Sequence, residues 1–167
     1  MSHRRPVRFY GGYSMHSISY ARLMKLKPSN TAIGRVEASP IARKLVTGDI
    51  LKHHHISTIL DYGYGYGCDV SYYEDCDFNA KGFDPHGPSK FSAEVTGEFD
   101  LVVCQFVLNV IADSRERARV CEKLFDHAKV NGFIIVGLQE VVWVFWATSE
   151  GWKHACEHLE PQIFLVA

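Results

Sequence analysis

The chain has 167 residues, 47% of them apolar and 22% charged, and a formal net charge of −1, the make-up of one soluble globular domain with a core of its own. Its five cysteines (68, 76, 104, 121 and 156) are odd in number and form no C-x-x-C pair, which argues against a zinc ribbon or a disulfide framework and for a reducing, cytoplasmic setting. No apolar run approaches the roughly 18 residues of a membrane span, and the N-terminus runs into aromatics and glycines rather than a signal-peptide core.

The charge is unevenly spread. Residues 1–55 carry ten Lys or Arg against two acids, Glu37 and Asp49, whereas residues 56–167 carry eight against seventeen. We therefore divide the chain into a basic N-terminal arm with helices over 1–55 and a core over 56–167. Such an arm suits a phosphate backbone, and equally suits a solvated face or an acidic partner protein. Arg4, Arg5 and Arg8 lead into Phe9-Tyr10-Gly11-Gly12-Tyr13, a mixture that can stack on bases or simply fold over the domain edge.

Taken in order, Ile18, Ala21 and Leu26 fit a helical stripe that Pro28 stops. Ser39-Pro40 then reads as an N-cap with proline at the first helical position, opening a helix that turns Ile41, Leu45 and Ile50-Leu51 inward. His53-His54-His55 invites a metal reading, but consecutive side chains point apart and no partner ligand stands nearby. A solvated loop is the expectation, and no metal site. Ser57 to Tyr62 reads as the first strand and Ala80 to Asp84 as the second, with a helix over about Asp69 to Asp75 between them. A short strand near Phe91 to Val95 precedes a near-continuous apolar run from Phe99 to Ile111, the pattern of a strand buried on both faces. Ser114 caps the next helix, which Asn131-Gly132 ends, and Phe133 to Leu138 is a further buried strand. Ser149 caps a last helix bearing Trp152, Ala155, Cys156 and Leu159, and Gln162 to Val166 is a final strand. Strands alternating with helices predict a doubly wound, mainly parallel α/β sheet with a short C-terminal part.

Between the first strand and its helix lies Asp61-Tyr62-Gly63-Tyr64-Gly65-Tyr66-Gly67-Cys68. Glycine lets backbone pass close to a ligand and take positive φ without steric cost. The dinucleotide fingerprint G-x-G-x-x-G/A would need Gly or Ala where this chain has Cys68, which weighs against a nicotinamide-dependent oxidoreductase. Asp84 follows Gly67 by seventeen residues, at the tip of the neighbouring strand, where a carboxylate can accept both hydroxyl protons of a ribose. An Asp-Pro turn is the plainer alternative.

The D-x-G-x-G-x-G form of Asp61 to Gly67, with Asp84 and the run from Phe99 to Leu108, resembles the class I S-adenosylmethionine-dependent methyltransferases. More narrowly, Thr31-Ala32-Ile33, the Ile59 to Gly65 stretch, Phe83-Asp84-Pro85 and Phe106 to Arg117 are similar to methyltransferases encoded beside DNA phosphorothioation systems. The resemblance implies a Rossmann-like methyltransferase fold and S-adenosylmethionine as cofactor, with Asp61 at its ammonium end and Asp84 on its ribose. It also implies cofactor contacts from Tyr62, Gly63, Gly65, Gly67, Pro85, Gln105 and Phe106. The acceptor is left open: a nucleobase-containing substrate, or none in a non-catalytic subunit that works with a partner protein or a second copy.

Departures from the family bear on catalysis. Amino-group DNA methyltransferases carry [DNS]-P-P-[YF] where this chain has Gln105-Phe106-Val107-Leu108, and the Pro-Cys nucleophile of cytosine-C5 enzymes is missing. Gln105, at a strand tip, is the candidate to face the methyl group, its amide oxygen accepting a hydrogen bond from an amine. Asn109 comes second, with turn capping as its plainer role, followed by Asp113 and Glu140. Trp143, Phe145 and Trp146 suit a stacking platform or core packing.

Overall fold

The structure, a computed structural model, describes residues 34–85 and 95–138, with the backbone of 142–148 and 151–154. Six strands form one sheet in the order β2-β1-β3-β4-β5-β6. They are β1 (Thr58–Tyr62), β2 (Asn79–Phe83), β3 (Phe99–Gln105), β4 (Ala128–Gly137), β5 (Val142–Thr148) and β6 (Gly151–His154). The first four run parallel, and β5 and β6 each turn back antiparallel. The chain leaves β1 for β2 on one side and returns to β3 on the other, so the connections diverge between β1 and β3. Helices cover both faces of this parallel part, and the architecture is the doubly wound, Rossmann-like α/β sheet that the alternation of elements predicts.

Residue parity assigns the faces, since successive side chains on a strand point to opposite sides. Ile59, Leu101 and Val103 pack with Ile41, Leu45 and Leu51 of α1 (Pro40–Thr47) and α2 (Ile50–His53), together with Tyr73 of α3 (Cys68–Asp75). Leu60, Val102 and Cys104 pack on the other side with Leu124 of α4 (Ser114–Asp126). Asp61 and Gln105 share the parity of Ile59 and Val103, which puts both polar side chains on the α1–α3 side at the strand ends. Ser39 caps α1 as expected, its Oγ accepting from the Ala42 amide at 3.1 Å, and Pro40 takes the first helical position.

Three expected boundaries are corrected. The apolar run from Phe99 does not continue as strand to Ile111, because β3 stops at Gln105 and Phe106 turns into the left-handed region at φ 60°. Its apolar continuation instead packs beneath the turn, with Val107 and Leu108 on the second core cluster. Asp113, rather than Ser114, caps α4 by accepting from the Arg115 and Glu116 amides. That helix ends at Asp126, and Asn131-Gly132 falls inside β4, where the register with β3 shifts between Phe99 and Leu101. A Cβ on Gly132 would crowd the carbonyls of Phe99 and Asp100, at 3.1 and 3.0 Å, so this glycine serves a strand irregularity and not a helix stop.

The largest correction concerns the C-terminal part. Trp152 lies on β6 and not on a helix, and Trp143, Phe145 and Trp146 lie on β5, paired in register with Val136, Ile134 and Phe133. Two antiparallel strands therefore follow β4, where the sequence suggested a helix. Ser149, the segment from Ala155 to the final expected strand at Gln162–Val166, the helical stripe at Ile18–Leu26 and most of the expected Phe91–Val95 strand lie outside the described residues. Among the described residues no helix is long and apolar enough to cross a membrane.

Candidate functional site

Where the chain diverges between β1 and β3, a cavity of about 380 Å³ opens at the carboxyl ends of the strands, the usual place for a ligand in open α/β sheets. Asp61 and Tyr62 reach it from the end of β1, Gly63 and Gly65 from the loop that follows, and Asp84 and Pro85 from the end of β2. Gln105 and Phe106 enter from β3. Two expected residues stand apart. Gly67 is the N-cap of α3, with φ 83°, and Asn109 sits in the turn after β3 with its Oδ1 buried and without a partner. Neither is among the lining residues.

The loop owes its shape to its glycines, since Gly63, Gly65 and Gly67 all take positive φ. A Cβ on Gly63 would overlap Val107, whereas a Cβ on Gly65 would have nothing within 4 Å. The space above Gly65 is open to a ligand. The Gly65 amide donates to Asp84 Oδ2 at 3.2 Å, and the Gly63 amide to the Phe83 carbonyl at 2.6 Å. These two bonds join the loop to the end of β2 and bring the alternating glycines and the Asp84 carboxylate into one wall. The Tyr64 ring covers Gly82, where a Cβ would overlap it.

Electrostatically the strand ends are acidic. Asp61 is buried, and its carboxyl is pushed up to about 8, first by burial and then by the negative charge of Asp69; Arg35 pulls it partly back and Asp84 adds to the rise. A carboxyl of that kind is largely neutral at pH 7 and responds to any cation placed beside it. Arg35 also stands over the Phe106 ring, 5.4 Å from its centroid, a cation–π arrangement.

The sequence reading missed Asp69 and Arg35. Asp69, in the first turn of α3, is buried; its Oδ1 accepts from the Ser39 amide at 2.5 Å and its Oδ2 from Gln105 Nε2 at 2.9 Å. The segment before α1 is fixed a second time where Cys68 Sγ donates to the Arg35 carbonyl at 3.1 Å. Cys68, which occupies the place of the third glycine of a dinucleotide fingerprint, thus packs its side chain against the segment that carries Arg35. The one signal for Asp69 was an acid two residues past the last glycine.

Gln105 donates to Asp69 and to Ser39 Oγ, the latter at 3.2 Å, and its Oε1 is buried without a partner. Asp113 serves as a helix cap, and Glu140 lies outside the described residues. Of the three histidines, His53 ends α2 and His54 packs edge-on against Phe133 with ring centroids 5.1 Å apart. Burial, with the neighbouring His53 and His55, lowers the His54 pKa. Among the described residues no group of three or more His, Cys, Asp or Glu is placed to hold a metal ion.

No protein-family model matches the chain. No curated protein matches it either. Solved structures resemble it in shape. An amino pentose methyltransferase from Micromonospora echinaspora, seen with S-adenosylmethionine bound, aligns over 84% of this chain and 73% of its own at 13% identity and a TM-score of 0.47. A sugar N-methyltransferase from Streptoalloteichus aligns over 90% and 80% at 14% identity and a TM-score of 0.45. A S-adenosylmethionine-dependent methyltransferase from Clostridium acetobutylicum aligns over 71% and 72% at 10% identity and a TM-score of 0.40.

Proposed function

We propose that this chain binds S-adenosylmethionine in the cavity between β1 and β3 and transfers its methyl group to a small acceptor. The observation that carries the reading is the joint wall of Gly63, Gly65 and Asp84: two glycines at positive φ, open space above Gly65, and a carboxylate bonded to the loop amide. The donor set fits the cofactor. Asp84 would take the ribose hydroxyls and Asp61 the ammonium end, with Arg35 as the neighbouring cation for a carboxylate. Tyr62, Pro85 and Phe106 would supply apolar contact, and Gly67 the turn into α3.

When bound, S-adenosylmethionine supplies an electrophilic methyl carbon on a sulfonium leaving group. The chain's own work is then alignment, which brings nucleophile and methyl carbon near contact distance. Both N–H groups of Gln105 are engaged, so it would orient an acceptor amine through its amide oxygen, once a shift of the side chain opens that buried atom to the cavity. It is too weak a base to remove a proton, so the reading favours an acceptor that reacts as a neutral nucleophile. Asn109 would act only as support for the turn after β3.

Titration calorimetry on the full chain with S-adenosylmethionine and S-adenosylhomocysteine tests this. We expect dissociation constants in the micromolar range, and heat with neither would overturn the proposal. Asp84→Ala should weaken binding by about 1 to 3 kcal/mol through loss of charge-assisted hydrogen bonds, and an unchanged affinity would remove Asp84 from the ribose site.

The narrower resemblance to methyltransferases encoded beside DNA phosphorothioation systems rests on the residues quoted for it and names no acceptor; a nucleic-acid acceptor in the cytoplasm rests instead on the excess of Lys and Arg over residues 1–55. The second reading, a non-catalytic subunit that keeps the cofactor, is favoured by Gln105-Phe106-Val107-Leu108 in place of a proline-bearing motif. Cofactor binding with no methyl transfer to any nucleic-acid, protein or small-molecule pool would favour it.

A further inference from the structure

The walls of the cavity differ in charge. Asp61 and Asp84 stand at the strand ends and Asp69 in the first turn of α3, whereas the wall formed by α4 presents Arg119 and Lys123 with a single acid, Glu116. Residues four apart on a helix are neighbours, with Cβ atoms ~6 Å apart, close enough for one anionic group to reach both side chains. Among the described residues neither cation enters an ion pair, and Glu116, one turn earlier on the same wall, is paired with neither; Arg119 acts on Asp113 only through the longer-range field that helps lower its pKa. Arg117 points elsewhere and holds the turn after β3 by donating to the Ile111 and Ala112 carbonyls at 2.6 and 2.9 Å. Val110, Ile111 and Val120 give this wall an apolar floor, and a charge set over such a floor is screened less than one in open water.

We propose that Arg119 and Lys123 form the acceptor subsite of this cavity and recognise a small molecule that carries a carboxylate or phosphate group beside an apolar body. The assignment rests on the methyl-transfer reading for the word acceptor, and on α4 alone for the anion. Arg35, on the segment before α1, is near enough to Asp61 to lower its pKa and so belongs to the acidic end. The two α4 cations have no task there. Arg119 adds a planar fork suited to two oxygens of one group, and Lys123 a mobile point charge.

The test uses the full chain saturated with S-adenosylhomocysteine, titrated separately with citrate, with inorganic pyrophosphate and with a single-stranded oligonucleotide, and followed by amide shifts of α4. Citrate or pyrophosphate should bind at least about tenfold more weakly to the Arg119→Gln/Lys123→Gln double variant, while S-adenosylhomocysteine affinity stays within about twofold. Both side chains are exposed, so the variant should keep its unfolding midpoint; single Gln variants, each with a partial loss, serve if it does not. Equal small-anion affinity in wild type and variant overturns the proposal, as does binding of the oligonucleotide without the small anions. Failure of wild type to bind S-adenosylhomocysteine, with anion binding still dependent on the two cations, would sink the methyl-transfer reading and leave the anion site standing.

Discussion

Gln105 Nε2 lies 2.9 Å from Asp69 Oδ2, and that contact decides which way the amide faces. A carboxylate can only accept, so the NH₂ group must turn to Asp69, and the oxygen is left as the acceptor of the pair. Asp69 also accepts from the Ser39 amide, so one buried side chain ties α3, the tip of β3 and the segment before α1 together. In Asp69→Asn, an oxygen turned to the Ser39 amide leaves an NH₂ group facing Gln105, which must flip. We expect a stability loss of about 1 to 3 kcal/mol in urea and a displaced side-chain NH₂ signal of Gln105 in NMR spectra. A spectrum with that signal unmoved would show that Asp69 does not orient the amide.

The glycines of the loop are not equivalent. Gly63→Ala forces a Cβ into Val107 at φ 90°, a left-handed strain plus overpacking that should cost about 2 to 4 kcal/mol of stability. Gly65→Ala meets nothing within 4 Å at φ 55° and should cost only about 1 kcal/mol. Its methyl group enters the open space above the turn, so if the cofactor binds as proposed it should weaken S-adenosylmethionine binding by about tenfold or more. Calorimetry and urea unfolding on the two variants separate the effects, and a Gly65→Ala protein with wild-type affinity would show that the cofactor does not pass over this turn.

How much of this was legible in the sequence depends on how local each signal is. Asp61, Gly63, Gly65 and Asp84 announce themselves because glycine spacing and an acid at a strand end are local marks of a required conformation. Asp69 and Arg35 do not, since their roles arise when α3 meets a segment 30 or more residues away in the chain. Trp152 was misread for a different reason: the spacing of Trp152, Ala155, Cys156 and Leu159 satisfies a helix, yet pairing of Ala147 with Trp152 in the β5–β6 ladder overrides the local period. Asn131-Gly132 misled in the same way, because a strand irregularity and a helix end use the same residues.

Asp61 makes the site pH-sensitive. Its folded-state carboxyl, near 8, lies above its ordinary value of 3.8. Its contribution to stability is therefore fully present below the ordinary value and is lost as pH rises through the folded one. Measured by urea unfolding from about pH 5 to about pH 9, wild type should lose stability relative to Asp61→Asn, which has nothing to ionise there. A cationic ligand end beside Asp61 should also drive its proton off, so the enthalpy of cofactor binding at pH 7 should vary with the ionisation heat of the buffer. A binding enthalpy independent of the buffer would mean that no cation meets this carboxyl.

At the far end of the sheet, Asp100 supplies stability without touching the site. Its Oδ2 accepts from the amides and hydroxyls of Ser57 and Thr58 at 2.8 to 3.0 Å, and its Oδ1 from Lys129 Nζ at 2.8 Å, so the starts of β1, β3 and β4 are joined. Partial burial opposes ionisation, but the hydrogen bonds from Lys129, Thr58 and Ser57 outweigh it and hold the carboxyl well below the usual range. A depressed carboxyl contributes stability that is present above its ordinary value and lost as pH falls through the folded one. Asp100→Asn should therefore cost about 1 to 3 kcal/mol near neutrality, and the gap from wild type should narrow as pH drops below about 4. Since Asp100 lies at the opposite end of β3 from Gln105, cofactor affinity should not change. A gap that stays constant with pH would mean that packing around Asp100, and not its charge, provides the stability, whereas a fall in affinity would mean that the two ends of β3 are coupled.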